Sequence, residues 1–389
     1  MKVCFFAHNS KTYKNGAALS LINIAEQMDR QGIKVTIIVP NPNIEYPIKS
    51  KNIKVIKVPS FSMRTILEDR SLLNKVKEFI KIIYNRFSIK KVLKVLTEEN
   101  PDIIHINGID SEVGAIAANK LGIPYVWHIR QLLEEDFGMR LHNEKQIIRL
   151  LNKSDVNIAI SNIVKEKFDN KLKTKLSLIY NGIPLEKYKI KNKAPFFSKE
   201  IIKILLPGRI VPEKGQLDAV KAINHLVGLG IENINLILVG NIQNTNYAKI
   251  IEEYIIKNNL NNYIKIIDYI DDLKELRQQC DIGLICSKQE AFGRVTIETM
   301  ASHMLVIGSN TGGTKEIITD EHNGLLYEEG DFYSLANKIK YAIENKDKMN
   351  VIIQNGYSDA VNKYSISSVV DQIIKLYQPL IKVKQTEKL

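Results

Sequence analysis

Lys2-Val3-Cys4-Phe5-Phe6-Ala7, a polar loop to Gly16, then Leu19, Ile22, Ala25 and Met28 at helical spacing, then Gly32, Ile33–Val39 and Pro40: the opening residues decide the fold. An apolar run, a loop, an amphipathic helix and a second apolar run make a βαβ unit. Parallel strands need such a crossover, because no tight hairpin joins them. The pattern recurs at Asp102–Ile106, Gly114–Lys120, Tyr125–Ile129 and Asp155–Ile160. These runs are apolar throughout, which suits a sheet covered on both faces.

A second series starts beyond the polar segment Lys187–Ser198. Strands are expected at Ile201–Leu206, Asn235–Val239, Ile264–Ile267, Ile282–Cys286 and Leu305–Gly308, with helices at Gln216–Gly228, Tyr247–Asn258, Leu273–Gln279 and Val295–Ser302. The expectation is two doubly wound α/β domains, 1–186 and 199–364, joined by a linker at 187–198. Helical spacing through Val369, Ile373, Ile374 and Tyr377 predicts that 365–389 crosses back to the first domain. A length of 389 residues accommodates this. Two such domains facing each other make a cleft at the carboxyl ends of their strands, where ligands bind.

Composition narrows the function. The net charge is +12, yet residues 1–195 hold 33 basic and 19 acidic side chains against 22 and 24 in the remainder. Basic character confined to one half excludes a uniform nucleic-acid coat. Three scattered cysteines (Cys4, Cys280 and Cys286) form neither a disulfide framework nor a zinc site, which predicts a reducing, cytoplasmic setting. The short N-terminal apolar run is no signal-peptide core, and no stretch approaches the roughly 18–20 apolar residues that span a bilayer.

The chemistry concentrates after strand ends. Glu290-Ala291-Phe292-Gly293-Arg294-Val295-Thr296-Ile297-Glu298 brackets a glycine loop and a helix start with two carboxylates. Such a junction offers unpaired N–H groups and the positive end of the helix dipole to a phosphate or sugar oxygen. Glu298, one turn into the helix, suits a pair of hydroxyls; the bland reading is two exposed helix-entry acids. Pro207-Gly208-Arg209-Ile210-Val211-Pro212-Glu213-Lys214-Gly215 puts a guanidinium fork and a point charge on one stiff loop, a reasonable diphosphate clamp or else a solvated basic loop. No Walker loop or GxGxxG motif is present, and Gly312-Gly313 reads as a turn.

Together these residues resemble the family 4 retaining glycosyltransferases of the GT-B fold. The family's two glutamates separated by seven residues match Glu290 and Glu298, with Phe292-Gly293 between, and its Gly-Arg and Lys-Gly pairs match Gly208-Arg209 and Lys214-Gly215. Asn15-Gly16-Ala17, Pro101–His105, Val126-Trp127-His128 and Ile179–Ile183 follow in family order. The resemblance implies that Arg209 and Lys214 hold the diphosphate of a nucleotide-sugar, which Gly16 also approaches. It implies that Glu298 takes the ribose, that Glu290 and the Phe292, Gly293, Arg294 and Val295 backbone contact the sugar, and that His128 faces that sugar. Asn241, Tyr269 and Ile270 are candidates for the base pocket. Ala17 stands where many members carry a second glycine. His105 is expected in the core or a cleft wall, and Arg130 on the acceptor side.

Fixed cations and a helix N-terminus stabilise a leaving diphosphate without a metal, and no Asp-x-Asp motif occurs in these loops. No cofactor is therefore expected beyond the nucleotide-sugar co-substrate. Retention is open to a Glu290 nucleophile, but the resemblance implies front-side attack by the acceptor hydroxyl. Between Arg64 and Lys94, nine basic residues interleave with apolar ones and only Glu68, Asp69 and Glu78 oppose them. This basic amphipathic helix fits an anionic membrane surface; the alternative buries its apolar side in the core. No motif supports nucleic acid. The reading is a hexosyltransferase using a UDP-sugar and a lipid-linked saccharide, peripheral at the cytoplasmic face. The alternatives are an epimerase or phosphorylase of the same fold and a non-catalytic carbohydrate-binding protein.

Overall fold

The structure is a computed structural model that describes residues 1–8, 13, 15–67, 71–190, 193–196 and 200–386. Glu68, Asp69 and Arg70 of the basic segment, and 191–192 and 197–198 of the expected linker, lie outside the described residues. The chain divides into a first unit, Met1–Gly182 with Ile366–Leu389, and a second, Ile183–Ser365.

The first unit holds strands β1 (Lys2–Phe6), β2 (Lys34–Val39), β3 (Lys54–Lys57), β4 (Arg64–Ile66), β5 (Ile103–Asn107), β6 (Tyr125–Ile129), β7 (Met139–Leu141), β8 (Val156–Ala159) and β9 (Leu176–Leu178). Its helices are α1 (Gly16–Arg30), α2 (Leu72–Glu99), α3 (Glu112–Leu121), α4 (Leu133–Phe137), α5 (Glu144–Leu151) and α6 (Asn162–Asp169). Seven strands form a parallel sheet in the order β3-β2-β1-β5-β6-β8-β9. The unpredicted β4 and β7, three residues each, pair antiparallel as a separate ribbon.

The second unit carries β10 (Ile202–Pro207), β11 (Ile234–Val239), β12 (Ile264–Ile267), β13 (Ile282–Ile285), β14 (Leu305–Ser309) and β15 (Leu325–Tyr327), parallel in the order β12-β11-β10-β13-β14-β15. Around them lie α7 (Gln216–Gly228), α8 (Thr245–Lys257), α9 (Lys274–Gln279), α10 (Arg294–Ala301), α11 (Thr314–Ile317), α12 (Phe332–Glu344) and α13 (Lys346–Tyr364). The last helix, α14 (Ile366–Thr386), returns to the first unit. Its Ile366, Val369, Val370, Ile373 and Tyr377 join the core that Val3, Phe5, Leu21, Ile37 and Ile103 build. The spacing in the sequence foretells that apolar stripe.

One boundary differs. The first crossing falls at Gly182–Ile183, and the described part of the expected linker is packed rather than free. Phe196 sits in the second core with Ile202 and Leu226. Lys193 Nζ donates to the carbonyls of Arg277 and Ser302 at 2.9 and 3.1 Å. A polar composition hid one aromatic anchor and one lysine that caps two carbonyls. No helix among the described residues is long and apolar enough to cross a membrane.

Helix α2 is turned inside out over its first half. Glu78, Asn85 and Ser88 are buried, while Leu72, Val76, Phe79, Ile80 and Phe87 are 50–77% exposed. Most of the inward polar groups find partners: Asn85 exchanges hydrogen bonds with the Phe61 backbone, and Ser88 Oγ donates to the Pro59 carbonyl at 2.5 Å, while Glu78 Oε1 is buried without one. Glu78 pairs with His142 at 2.8 Å. The apolar side of this segment therefore does not face the core.

Candidate active site

In the second sheet the strand order reverses between β10 and β13. That reversal opens a crevice at the carboxyl ends of a doubly wound sheet. The loops leaving these two strands carry the sequence candidates. After β10 the chain makes a single tight turn, Pro212–Lys214, ending at Gly215 with φ +65°. A Cβ on Gly215 would lie 2.1 Å from the Cys286 carbonyl oxygen, so only glycine lets this turn rest on the end of β13.

That contact brings Lys214 to the β13 loop. Its Nζ lies 3.2 Å from Ser287 Oγ and is paired with Glu290, and Ser287 Oγ donates to Glu290 Oε1 at 2.8 Å. Burial alone would raise the Glu290 pKa. Lys214, Ser287 and the charge of Arg209 outweigh it and hold the carboxyl below its ordinary range. Arg209 Nη1 donates to Gln243 at 3.1 Å.

The Glu290–Gly293 loop is braced from below. Gly313 N–H donates to the Glu290 carbonyl at 2.7 Å, and a Cβ at Gly313 would meet the Phe292 carbonyl oxygen at 2.5 Å. The glycine pair read as a turn is thus a close-packed support. Phe292 is buried edge-on to Tyr364, with ring centroids 6.1 Å apart. Gly293 caps α10, whose first turn presents Arg294 and Val295, both half-buried. Beside this N-terminus, the hydroxyls of Thr296 and Thr314 are buried without a hydrogen-bond partner. Two orphan hydroxyls and the positive end of the helix dipole make an anion-ready corner.

Glu298 is held by a different set of partners from those of Glu290. Arg277 Nη2 donates to it at 2.7 Å, Arg294 at 3.4 Å and Tyr188 Oη at 3.0 Å. Burial opposes ionisation of Glu298, but Arg277 and Arg294 prevail and hold its pKa low. The carboxylate is therefore charged and already oriented. Asn241, Tyr269 and Ile270 are exposed on the loops after β11 and β12, at the same end of the sheet. Sequence reasoning missed Tyr188, Gln243, Arg277, Ser287, Thr296 and Thr314. Ser287 alone had a signal, a hydroxyl at a strand end three residues before Glu290.

In the first unit, His128 and His105 are fully buried side by side on β6 and β5, with His105 Nε2 3.1 Å from His128 Nδ1. Arg130 is buried as well, bonded to Asn107, to Asn181 at 2.5 Å and to His128 Nδ1 at 3.1 Å. It acts here as an internal strut and presents little surface. Gly16 opens α1, and Asn107 ties the following Ala17 carbonyl to the same cluster at 3.3 Å.

A guanidinium only donates, so His128 Nδ1 accepts and its proton resides on Nε2. His105 Nε2, aimed at the same lone pair, must then donate, and His105 Nδ1 accepts from Tyr377 Oη of α14 at 2.5 Å. His128 Nε2 is left as a buried donor without a protein acceptor. Burial first, and then the Arg130 charge, push both imidazoles well below their ordinary pKa, consistent with neutral rings.

Residues 187–359 match the family described as Glycosyl transferases group 1, and residues 14–187 match Glycosyltransferase Family 4. An uncharacterised glycosyltransferase of Methanocaldococcus jannaschii is 30% identical over 312 residues, covering 77% of this chain and 81% of that one. The chain belongs to glycosyltransferase family 4. This glycosyltransferase is also 24% identical, over 78% of its length and 81% of the relative's, to UDP-Gal:alpha-D-GlcNAc-diphosphoundecaprenol alpha-1,3-galactosyltransferase of Escherichia coli. Among solved structures it resembles Anabaena HepE in complex with UDP and glucose, with a TM-score of 0.77, 24% identity and coverage of 96% and 98% of the two chains. The glycosyltransferase has the GT-B fold, each unit a Rossmann-like parallel sheet.

Proposed function

We propose that this enzyme moves a hexosyl unit from a UDP-sugar to a lipid-linked saccharide, with retention and without a metal, during assembly of a surface polysaccharide. The observation that carries the reading is the Lys214–Ser287–Glu290 constellation beside the anion-ready start of α10. A departing nucleoside diphosphate needs fixed positive charge, and Arg209, Lys214 and the α10 N-terminus supply it without reorganisation. Glu298, held ionised by Arg277 and Arg294, suits the two ribose hydroxyls. Asn241, Tyr269 and Ile270, exposed on the loops after β11 and β12, suit the base.

The acceptor hydroxyl attacks the anomeric carbon on the face the diphosphate leaves, and its proton passes to the departing phosphate oxygen. Glu290, engaged by Lys214 and Ser287, has a carboxylate suited to accepting from a sugar hydroxyl; a covalent glycosyl-enzyme trapped at Glu290 would overturn that role. His128 offers its Nε2–H to the sugar. The basic, outward-apolar α2 supports a peripheral enzyme at the cytoplasmic leaflet, where its acceptor is embedded. The Escherichia coli relative, whose name gives a UDP-sugar and a lipid diphosphate acceptor, supports the same substrate classes.

A thermal-shift screen against UDP- and GDP-sugars, followed by product mapping on lipid-linked acceptors, tests this. UDP-sugars should stabilise the wild type, and Lys214→Gln should lose roughly 10²–10³-fold in kcat/KM. Release of altered nucleotide-sugar without acceptor would favour an epimerase, and absence of any nucleotide-sugar binding a carbohydrate-binding protein.

A further inference from the structure

The first unit contains a cavity of about 410 Å³ that neither the donor residues nor the histidine cluster occupies. Ile109 and Gln131, just beyond the carboxyl ends of β5 and β6, form its floor. This is where a doubly wound sheet receives ligands. Arg140 on β7 and Lys145, Lys167 and Lys171 on the helices α5 and α6 and just beyond line its walls.

The charges are not equivalent. Lys167 is neutralised by Glu134 and Glu135 at 3.1 and 2.6 Å, and Lys171 by Glu144 at 2.7 Å. Arg140 and Lys145 have no ion pair among the described residues, and Arg140 Nε is buried without any hydrogen-bond partner. A half-buried guanidinium with an orphaned N–H carries a desolvation cost that an anion offsets. Its planar fork fits two oxygens of a phosphate, while Lys145 adds a mobile point charge at the rim.

The cavity and α2 belong to one substructure. β7, which carries Arg140, pairs with β4 at the start of the basic segment, and His142 beyond it meets Glu78 of α2. We propose that this cavity seats the phosphate or diphosphate that joins the acceptor saccharide to its lipid, whose chain stays in the bilayer on which α2 lies. The assignment rests on the lipid-linked acceptor argued above.

The test is calorimetric titration of the full chain with a short isoprenyl diphosphate, farnesyl diphosphate, and with inorganic pyrophosphate and farnesol as the two separated halves. Farnesyl diphosphate should bind the wild type and equally the Lys214→Gln variant, which removes the donor clamp as an alternative seat. Arg140→Gln should weaken binding at least about tenfold. Lys145→Gln, at an exposed position that folding does not require, should weaken it about threefold. Lys173→Gln, a neighbouring surface charge outside the cavity, should change nothing. Unchanged affinity in both Arg140→Gln and Lys145→Gln overturns the proposal. So does pyrophosphate binding as tightly as farnesyl diphosphate, which would make the cavity a free-anion site. Because binding is read without turnover, failure of the transferase reading shows separately, as absence of nucleotide-sugar binding.

Discussion

Protonation at the buried histidines is decided by a neighbour that cannot accept a proton. Arg130 fixes His128 Nδ1 as acceptor, and ¹⁵N spectra of histidine-labelled protein should show His128 as the neutral Nε2–H tautomer at pH 7. A consequence for stability follows. His8, lowered to about 4 by burial, and His105 and His128, also held well below their ordinary range, take up protons more readily when unfolded, where their pKa returns to 6.5. The stability of their unit is therefore full above pH 6.5 and declines as pH falls. Thermal unfolding from pH 7.5 to 5 should show that decline, and His105→Gln should reduce it. These roles were partly legible beforehand. Arg209, Lys214 and Glu290 follow strand ends at short range, which a sequence displays directly. Arg277 and Tyr188 reach Glu298 from 21 and 110 residues away, and no local spacing announces such a meeting.

Among the elements, α2 separates what periodicity tells from what it does not. The interleaving of apolar and basic residues announces a helix with two faces, but only the β4–β7 ribbon decides which faces inward. That ribbon joins two three-residue strands far apart in sequence, too short to leave a periodic trace. Because His142, just beyond that ribbon, pairs with Glu78 and because Asn85 and Ser88 find backbone groups, Phe79, Ile80 and Phe87 remain outside with Lys75, Lys77 and Arg86. Liposomes rich in anionic lipid should bind the protein, with affinity falling steeply as salt rises. Changing Lys75, Lys77, Arg86, Lys90 and Lys91 to glutamine should abolish binding. Equal binding to neutral liposomes would refute the electrostatic part of this account.

At the level of the whole molecule, the two βαβ series, and with them the GT-B architecture, are readable because each strand is a short apolar run between helices of distinct period. The boundaries were less so, since a single aromatic, Phe196, draws a polar segment into the second core. The second unit is an insertion in the first: the first-unit core takes residues from both Val3–Ile179 and Ile366–Tyr377. A chain ending at residue 365 should therefore keep a cooperatively melting second unit while its first unit binds a hydrophobic dye and resists no protease. The same arrangement sets an order of events at the ribosome. Residues 183–365 can complete their fold as they emerge, whereas the earlier-made first unit waits for α14, exposing Leu21, Ile24 and Ile37 until the final helix is released. The enzyme's oldest segment in synthesis is its last to mature, and its exposure to chaperones is timed by the length of the insert.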